Sequence, residues 1–175
     1  MTVGIRLAHF VFTNIETAVK MKIDNKNIAS QVRLLYAVIP AVIVLSVALI
    51  YLLDVASGLL PVIIGGGALA AYAAFAMLMH YNYIMVFVSP EKVIIRYKAL
   101  WPIRTDNNSI EINAADFAGY TIQKSGLQTH LTIFKNTPGG KAEYPKICIN
   151  LLNNEDVDKM KRSFALLETI KKRDA

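Results

Sequence analysis

The hydrophobic and polar positions along this chain divide it into regions of different period. From Leu34 to Leu53 it reads LLYAVIPAVIVLSVALIYLL, and from Leu59 to Met79 LLPVIIGGGALAAYAAFAMLM, with no charged residue in either. At about 1.5 Å per residue, a helical run of roughly 20 residues spans about 30 Å, the thickness of a bilayer's hydrocarbon core. The pattern predicts a transmembrane hairpin over residues 34–80, with spans at 34–53 and 59–79. Only Asp54 to Gly58 separates the runs, so the two helices pack antiparallel. Gly58 suits the turn, and Pro61 suits the first turn of a helix, where its missing N–H is not needed. Pro40 falls inside the first span, where neighbouring helices can tolerate a kink.

After Tyr81 the period changes to two. Strands are expected at Tyr83–Val88, Lys92–Ala99, Ser109–Ile112, Phe117–Lys124, His130–Lys135 and Tyr144–Leu151. In the second, Val93, Ile95 and Tyr97 share one face, and Lys92, Ile94, Arg96 and Lys98 the other. Turn signals at Ser89-Pro90, Trp101-Pro102, Asp106–Asn108 and Thr137–Gly140 separate the strands. The period then becomes helical. Asn153 or Asn154 can cap a helix whose first turn holds Glu155, Asp156 and Asp158. Its buried stripe is Val157, Met160, Phe164 and Leu167, and Lys171, Lys172 and Arg173 lie at its C-terminal end. Residues 82–175 therefore read as an antiparallel β barrel or sandwich closed by a helix, giving a membrane α+β protein overall.

Residues 1–33 form a separate N-terminal segment. Leu7, Val11, Ile15, Val19 and Ile23 recur every four residues, and Arg6, Thr13, Glu16, Thr17, Lys20 and Asp24 lie largely elsewhere on the wheel, which is helical amphipathicity. Such a helix packs on the following domain or lies among lipid headgroups. An extended strand is the third reading, because Val3, Ile5 and Leu7 alternate.

Composition sharpens this picture. The chain is 54% hydrophobic and 18% charged, with a formal net charge of +6, against about 25% charged in ordinary soluble domains. Lys20, Lys22, Lys26 and Arg33 precede the first span and Lys92, Arg96, Lys98 and Arg104 follow the second, while the linking loop has no basic residue. The positive-inside rule then places both termini in the cytoplasm, with the chain in the inner membrane. Tyr36, Tyr51, Tyr81 and Tyr83 fit interfacial anchoring. The apolar run Leu7–Phe12 is too short for a cleavable signal, so the first span reads as an uncleaved anchor. A lone cysteine, Cys148, excludes an intrachain disulfide and agrees with a reducing compartment.

Gly65, Gly67 and Ala70 satisfy the dinucleotide-binding pattern G-x-G-x-x-G/A, with Glu91 at a ribose-binding distance. A Rossmann unit needs an amphipathic helix after its glycines, and Ala68–Met79 has no polar face. The cluster reads instead as helix contact. Gly66, Ala70 and Ala74 recur every four residues, as do Gly67 and Ala71, and small residues at this spacing let helices approach closely in lipid. Their partner is the first span or a second copy of the chain. No catalytic, cofactor or metal site is expected. His9, His80 and His130 lack metal-ligand spacing, Ser46 suits a bond to its own helix, and Ser125, His130 and Asp116 have no catalytic spacing. Lys92, Arg96, Lys98 and Arg104 form a juxtamembrane basic set that fits acidic lipid headgroups or a solvated sheet face. Nucleic acid is disfavoured by the modest charge.

The segments YIMVFVSPEKVIIRY (83–97), SIEINAADFAGYTIQKSG (109–126) and EDVDKMKRSFALLETI (155–170), behind a membrane hairpin, give the chain a resemblance. It resembles the bacterial pleckstrin-homology-like membrane proteins, including the YcxB-like group. The resemblance implies a pleckstrin-homology-like domain that acts as a protein- or lipid-interaction module. An accessory subunit of a membrane complex, or an immunity factor against a membrane-active toxin, is the alternative.

Overall fold

A computed structural model describes residues 20–55, 58–100 and 107–174. Strand β1, Met21–Asp24, comes first, and helices α1, Lys26–Leu52, and α2, Leu60–Met79, follow it. The chain then returns through strands β2, Asn82–Val88, and β3, Lys92–Ala99. β1 pairs antiparallel with β2, with Ile23 opposite Val86 and Asp24 opposite Met85. The helical hairpin is thus an insertion into a β1–β2 connection. This corrects the division into an N-terminal segment ending at 33 and a domain starting at 82. Ile23, expected on an amphipathic helix, is instead a core residue of the first sheet, 3% exposed. Four residues cannot show a helical or a strand period by themselves; pairing with β2 decides the conformation. The rest of the amphipathic pattern, residues 1–19, lies outside the described residues.

Both helices are long and apolar enough to cross a membrane. α1 starts at Lys26 rather than Leu34, because the carboxylate of Asp24 accepts the Lys26 N–H at 2.9 Å and favours the helix N-terminus. It continues through Pro40. Pro61 sits in the first turn of α2, and Gly58, at φ +88°, makes the turn as expected. The Tyr51 hydroxyl closes the loop by donating to the Gly58 carbonyl. Ser46 donates to the Val42 carbonyl of its own helix at 2.8 Å, the back-bond its position suggested.

The remaining strands are β4 Asn107–Asn113, β5 Phe117–Ser125, β6 Gln128–Thr137, β7 Gly140–Glu143 and β8 Ile147–Cys148. They form two antiparallel sheets, one ordered β1-β2-β3-β4 and the other β5-β6-β7 with β8 also on β6. Thr137 pairs with Gly140 across Pro138-Gly139, so the predicted turn is a tight hairpin. The expected strand Tyr144–Leu151 is shorter. Pro145 interrupts the pairing on β6, which resumes only at Ile147 and Cys148. β7 carries no apolar alternation, because all four of its residues are exposed.

Helix α3, Asn154–Asp174, closes the structure. Asn153 caps it, its side-chain oxygen accepting the Asp156 N–H at 2.6 Å. Met160, Phe164 and Leu167 enter the core with Ile84, Val86, Val93, Ile95, Leu131 and Ile133. Phe164 stacks on Phe117 at 5.4 Å and tilts on Tyr120 at 4.8 Å. The Lys171 ammonium donates to the Phe117 carbonyl at 2.9 Å, tying the helix end to the bulge where the β5–β6 register shifts.

Candidate functional site

Where the hairpin meets the sheets, a recess of 750 Å³ opens. One wall is the end of α2 (Ala76, Met77 and Leu78), with Tyr36 from α1. Facing it are the hairpin-side ends of several strands: Asn82 on β2, Tyr97 and Ala99 on β3, Asn108 on β4, and Gln128 and His130 on β6. Lys146 and Cys148 complete the rim and floor. The site exists because both crossings between helix and sheet are short and tied down.

Asn25 makes the first tie. It is 4% exposed and stands at the N-cap position of α1 without capping it. Its side chain is used on β2 instead. The oxygen accepts the Ile84 N–H at 2.8 Å, and the amide nitrogen donates to the Asn82 carbonyl at 3.1 Å. The second tie is His80, which ends α2 in a left-handed conformation at φ 42°, uncommon for a residue other than glycine. Its Nδ1 lies 3.3 Å from Gln128 Nε2, and the Gln128 amide donates to the Leu78 carbonyl. The Asn82 amide reaches the Cys148 carbonyl at 3.3 Å, binding the first sheet to the second beneath the recess.

The electrostatics of the recess are one-sided. Lys146 supplies a cation and two histidines their rings, the Asn82 and Gln128 amides are engaged by backbone carbonyls, and no Asp or Glu lines it. His130 Nδ1 is buried and has no hydrogen-bond partner among the described residues. Buried polar atoms are nearly always paired, so an orphan in a cavity wall needs a reason. Cys148 is directly opposite His130 across the β6–β8 pair. Burial pushes its thiol pKa up, and Sγ lies 4.0 Å from the Met79 carbonyl it faces. A nucleophilic cysteine needs the opposite shift. Outside the recess, burial and the neighbouring Asp24 carboxylate raise the Tyr83 phenol.

The predicted basic set is dispersed. Lys92, Arg96 and Lys98 do share the outward face of β3, but that strand runs away from the helices. Ala99 pairs with Asn82, next to α2, and Val93 with Val88 at the far end. At about 3.3 Å per residue, Lys92 lies about 20 Å beyond Lys98, more than two Debye lengths at physiological salt. Lys92 is also paired with Glu111 at 2.7 Å, and its ammonium holds that carboxyl below the usual range. Of the three, only Lys98 is at the hairpin end; Arg104 lies outside the described residues. Continuing the helix register beyond the Gly65–Val47 contact brings Arg33 near the end of α2, so Arg33 and Lys146 join Lys98 there.

The glycine cluster is displaced by one residue from expectation. A Cβ at Gly65 would lie 2.5 Å from Val47 Cγ2, whereas Gly66 and Gly67 have nothing within 4 Å. The face of α2 that meets α1 holds Pro61, Gly65 and Ala76. The Tyr72 hydroxyl adds a bond to the Leu35 carbonyl at 3.2 Å, and its ring meets Tyr36 edge-on at 6.4 Å. Gly66, Gly67, Ala70, Ala71 and Ala74 are exposed. The pairing of that stripe with the first span is therefore corrected: it faces away from the hairpin's own partner. All three glycines lie inside a continuous helix, where their N–H groups serve the helix rather than a phosphate loop.

Ser125 ends β5 and Asp116 immediately precedes its start, about 30 Å apart at a strand's rise, so the Ser/His/Asp grouping does not assemble. Among the described residues no three His, Cys, Asp or Glu side chains come together to hold a metal. Sequence reasoning missed Asn25, which ties α1 to β2, and Gln128 and Lys146, which line the recess; none of them has a spacing signal. Compared with known proteins, the chain matches no family model, no curated protein and no solved structure.

Proposed function

We propose that this chain is an integral, two-span inner-membrane protein whose pleckstrin-homology-like domain is an interaction module working against anionic lipid. The observation that carries this reading is exposure. In the most apolar stretch of α1 no residue is buried within the fold, and Leu45, Ile64 and Leu78 are 60%, 63% and 69% exposed. A soluble protein rarely leaves so long an apolar surface uncovered, and hydrocarbon covers it naturally. The domain reading rests on four strands, then β5 to β8 on the second sheet, and a closing helix. The hairpin inserted after β1 is a variation on the expected order. Arg33, Lys98 and Lys146 at the hairpin end favour a cytoplasmic, anionic leaflet.

Two measurements test this on the full chain. It should remain with membranes through alkaline carbonate extraction. In nanodiscs, amide exchange around Lys98 should slow when anionic lipid replaces zwitterionic lipid, and should recover at high salt. Release by carbonate, or exchange indifferent to lipid charge, would overturn the reading. A second reading, an accessory subunit of a membrane complex or an immunity factor, draws support from the exposed Gly66–Ala70–Ala74 stripe, which has the form of a contact face for another helix.

A further inference from the structure

We propose that the recess holds the headgroup of one anionic phospholipid, with an acyl chain lying on Met77 and Leu78 of α2. The inference deepens the membrane reading and rests on it. Three features select the occupant. Lys146 and the rings of His80 and His130 line a space without a carboxylate, so an anion is favoured and a cation is not. His130, a lining residue, has an Nδ1 without a hydrogen-bond partner among the described residues, and a phosphate oxygen at the recess wall would supply one. The helix wall is apolar and continuous with the exposed face of α2, where Met77 and Leu78 are 54% and 69% exposed. A small soluble anion would leave that wall uncovered, whereas a lipid drawn from the leaflet covers both parts at once.

The site differs from general attraction of the domain to charged lipid, because it predicts one molecule per chain. It also predicts independence from Lys92, which sits at the far end of β3. The full chain in mild detergent is offered phosphatidylglycerol and phosphatidylcholine of matched chains, and retained lipid is counted by native mass spectrometry. One phosphatidylglycerol per chain is expected, preferred at least tenfold. Lys146→Glu, at an exposed position, should lower retention at least tenfold. Ala99→Trp, which fills the recess, should remove it, and Lys92→Glu should leave it unchanged. His130→Leu should weaken retention yet raise the melting temperature of the lipid-free protein by a few degrees, as deleting an unpaired buried atom does. A merely structural histidine would not give that opposite pair. Equal retention of the two lipids, retention unaffected by Lys146→Glu and Ala99→Trp, or displacement by millimolar glycerol phosphate would each overturn the proposal. These failures in a chain that resists carbonate extraction would reject the recess alone, while release by carbonate would reject the membrane reading itself.

Discussion

Asn25 occupies the one position where a helix start, a strand end and the edge of β2 coincide. Because Asp24 serves the first turn of α1, the Asn25 amide is free to satisfy both Ile84 N–H and the Asn82 carbonyl. Replacing it with leucine leaves a buried N–H and a carbonyl unpaired, and an unsatisfied buried group costs about 1–3 kcal/mol. Asn25→Leu should lower unfolding stability in mild detergent by about that amount, measured by chemical denaturation. Asn27→Ala, exposed two residues later, should stay within about 0.5 kcal/mol of the parent. Equal effects from the two would show that Asn25 is not a joint. Gly119 is a second residue-scale constraint. It adopts φ +112° at the bulge of β5, with a would-be Cβ 3.2 Å from Glu168 Oε1, which no other residue accommodates without strain.

At the scale of elements, the hairpin is held by one close approach and a pair of tyrosines. The stiff, β-branched Val47 presses against Gly65, so a side chain there forces the helices apart or twists Val47 off its rotamer. Gly65→Leu should therefore loosen the hairpin, read as a lower melting temperature and faster exchange along α1 and α2. Gly66→Leu should leave both unchanged in the isolated chain. If Gly66→Leu proved as damaging as Gly65→Leu in a monomer, the assignment of faces would be wrong. A loss of self-association or of a copurifying partner on Gly66→Leu alone would mark the outer stripe as the surface used by another helix. The sheets are built on firmer ground: Val86, Val88, Val93 and Ile95 are fully buried, and the alternation that buries them is visible in the sequence.

For the whole molecule, the consequential feature is that the domain is split by its own helical hairpin. β1 covers an edge of β2 and adds Ile23 to the core. Burial of a side chain of that size contributes about 1.5–3 kcal/mol. A fragment of residues 82–175 should therefore be less stable than one in which a short glycine-serine turn joins β1 directly to β2 in place of residues 26–79. Thermal melts by circular dichroism and sedimentation would compare the two, and equal stability would mean that β1 is dispensable. The same arrangement couples hairpin to sheet through short connections: Asn25 alone separates β1 from α1, and His80 and Tyr81 alone separate α2 from β2. Any tilt of the hairpin thus passes to the open end of the sheets, where the recess lies.

Local pattern alone determined much of this protein. The two apolar helices, the turn residues Gly58 and Pro61, the period-two strands from Tyr83 to Lys135 and the capped final helix all follow from interactions within a few residues, and they formed near where expected, α1 beginning eight residues early. Tertiary structure decided the rest. It made a strand of Met21–Asp24, turned Gly65 rather than Gly66 toward α1, and broke the last strand at Pro145. Each of these depends on which segments pair and which helix face meets a neighbour, and such contacts join residues 16 to 60 or more positions apart. The recess is the clearest instance. Tyr36, Met77, Gln128, His130 and Lys146 share no spacing that a linear reading could detect, and only the meeting of hairpin and sheets gives them a common space.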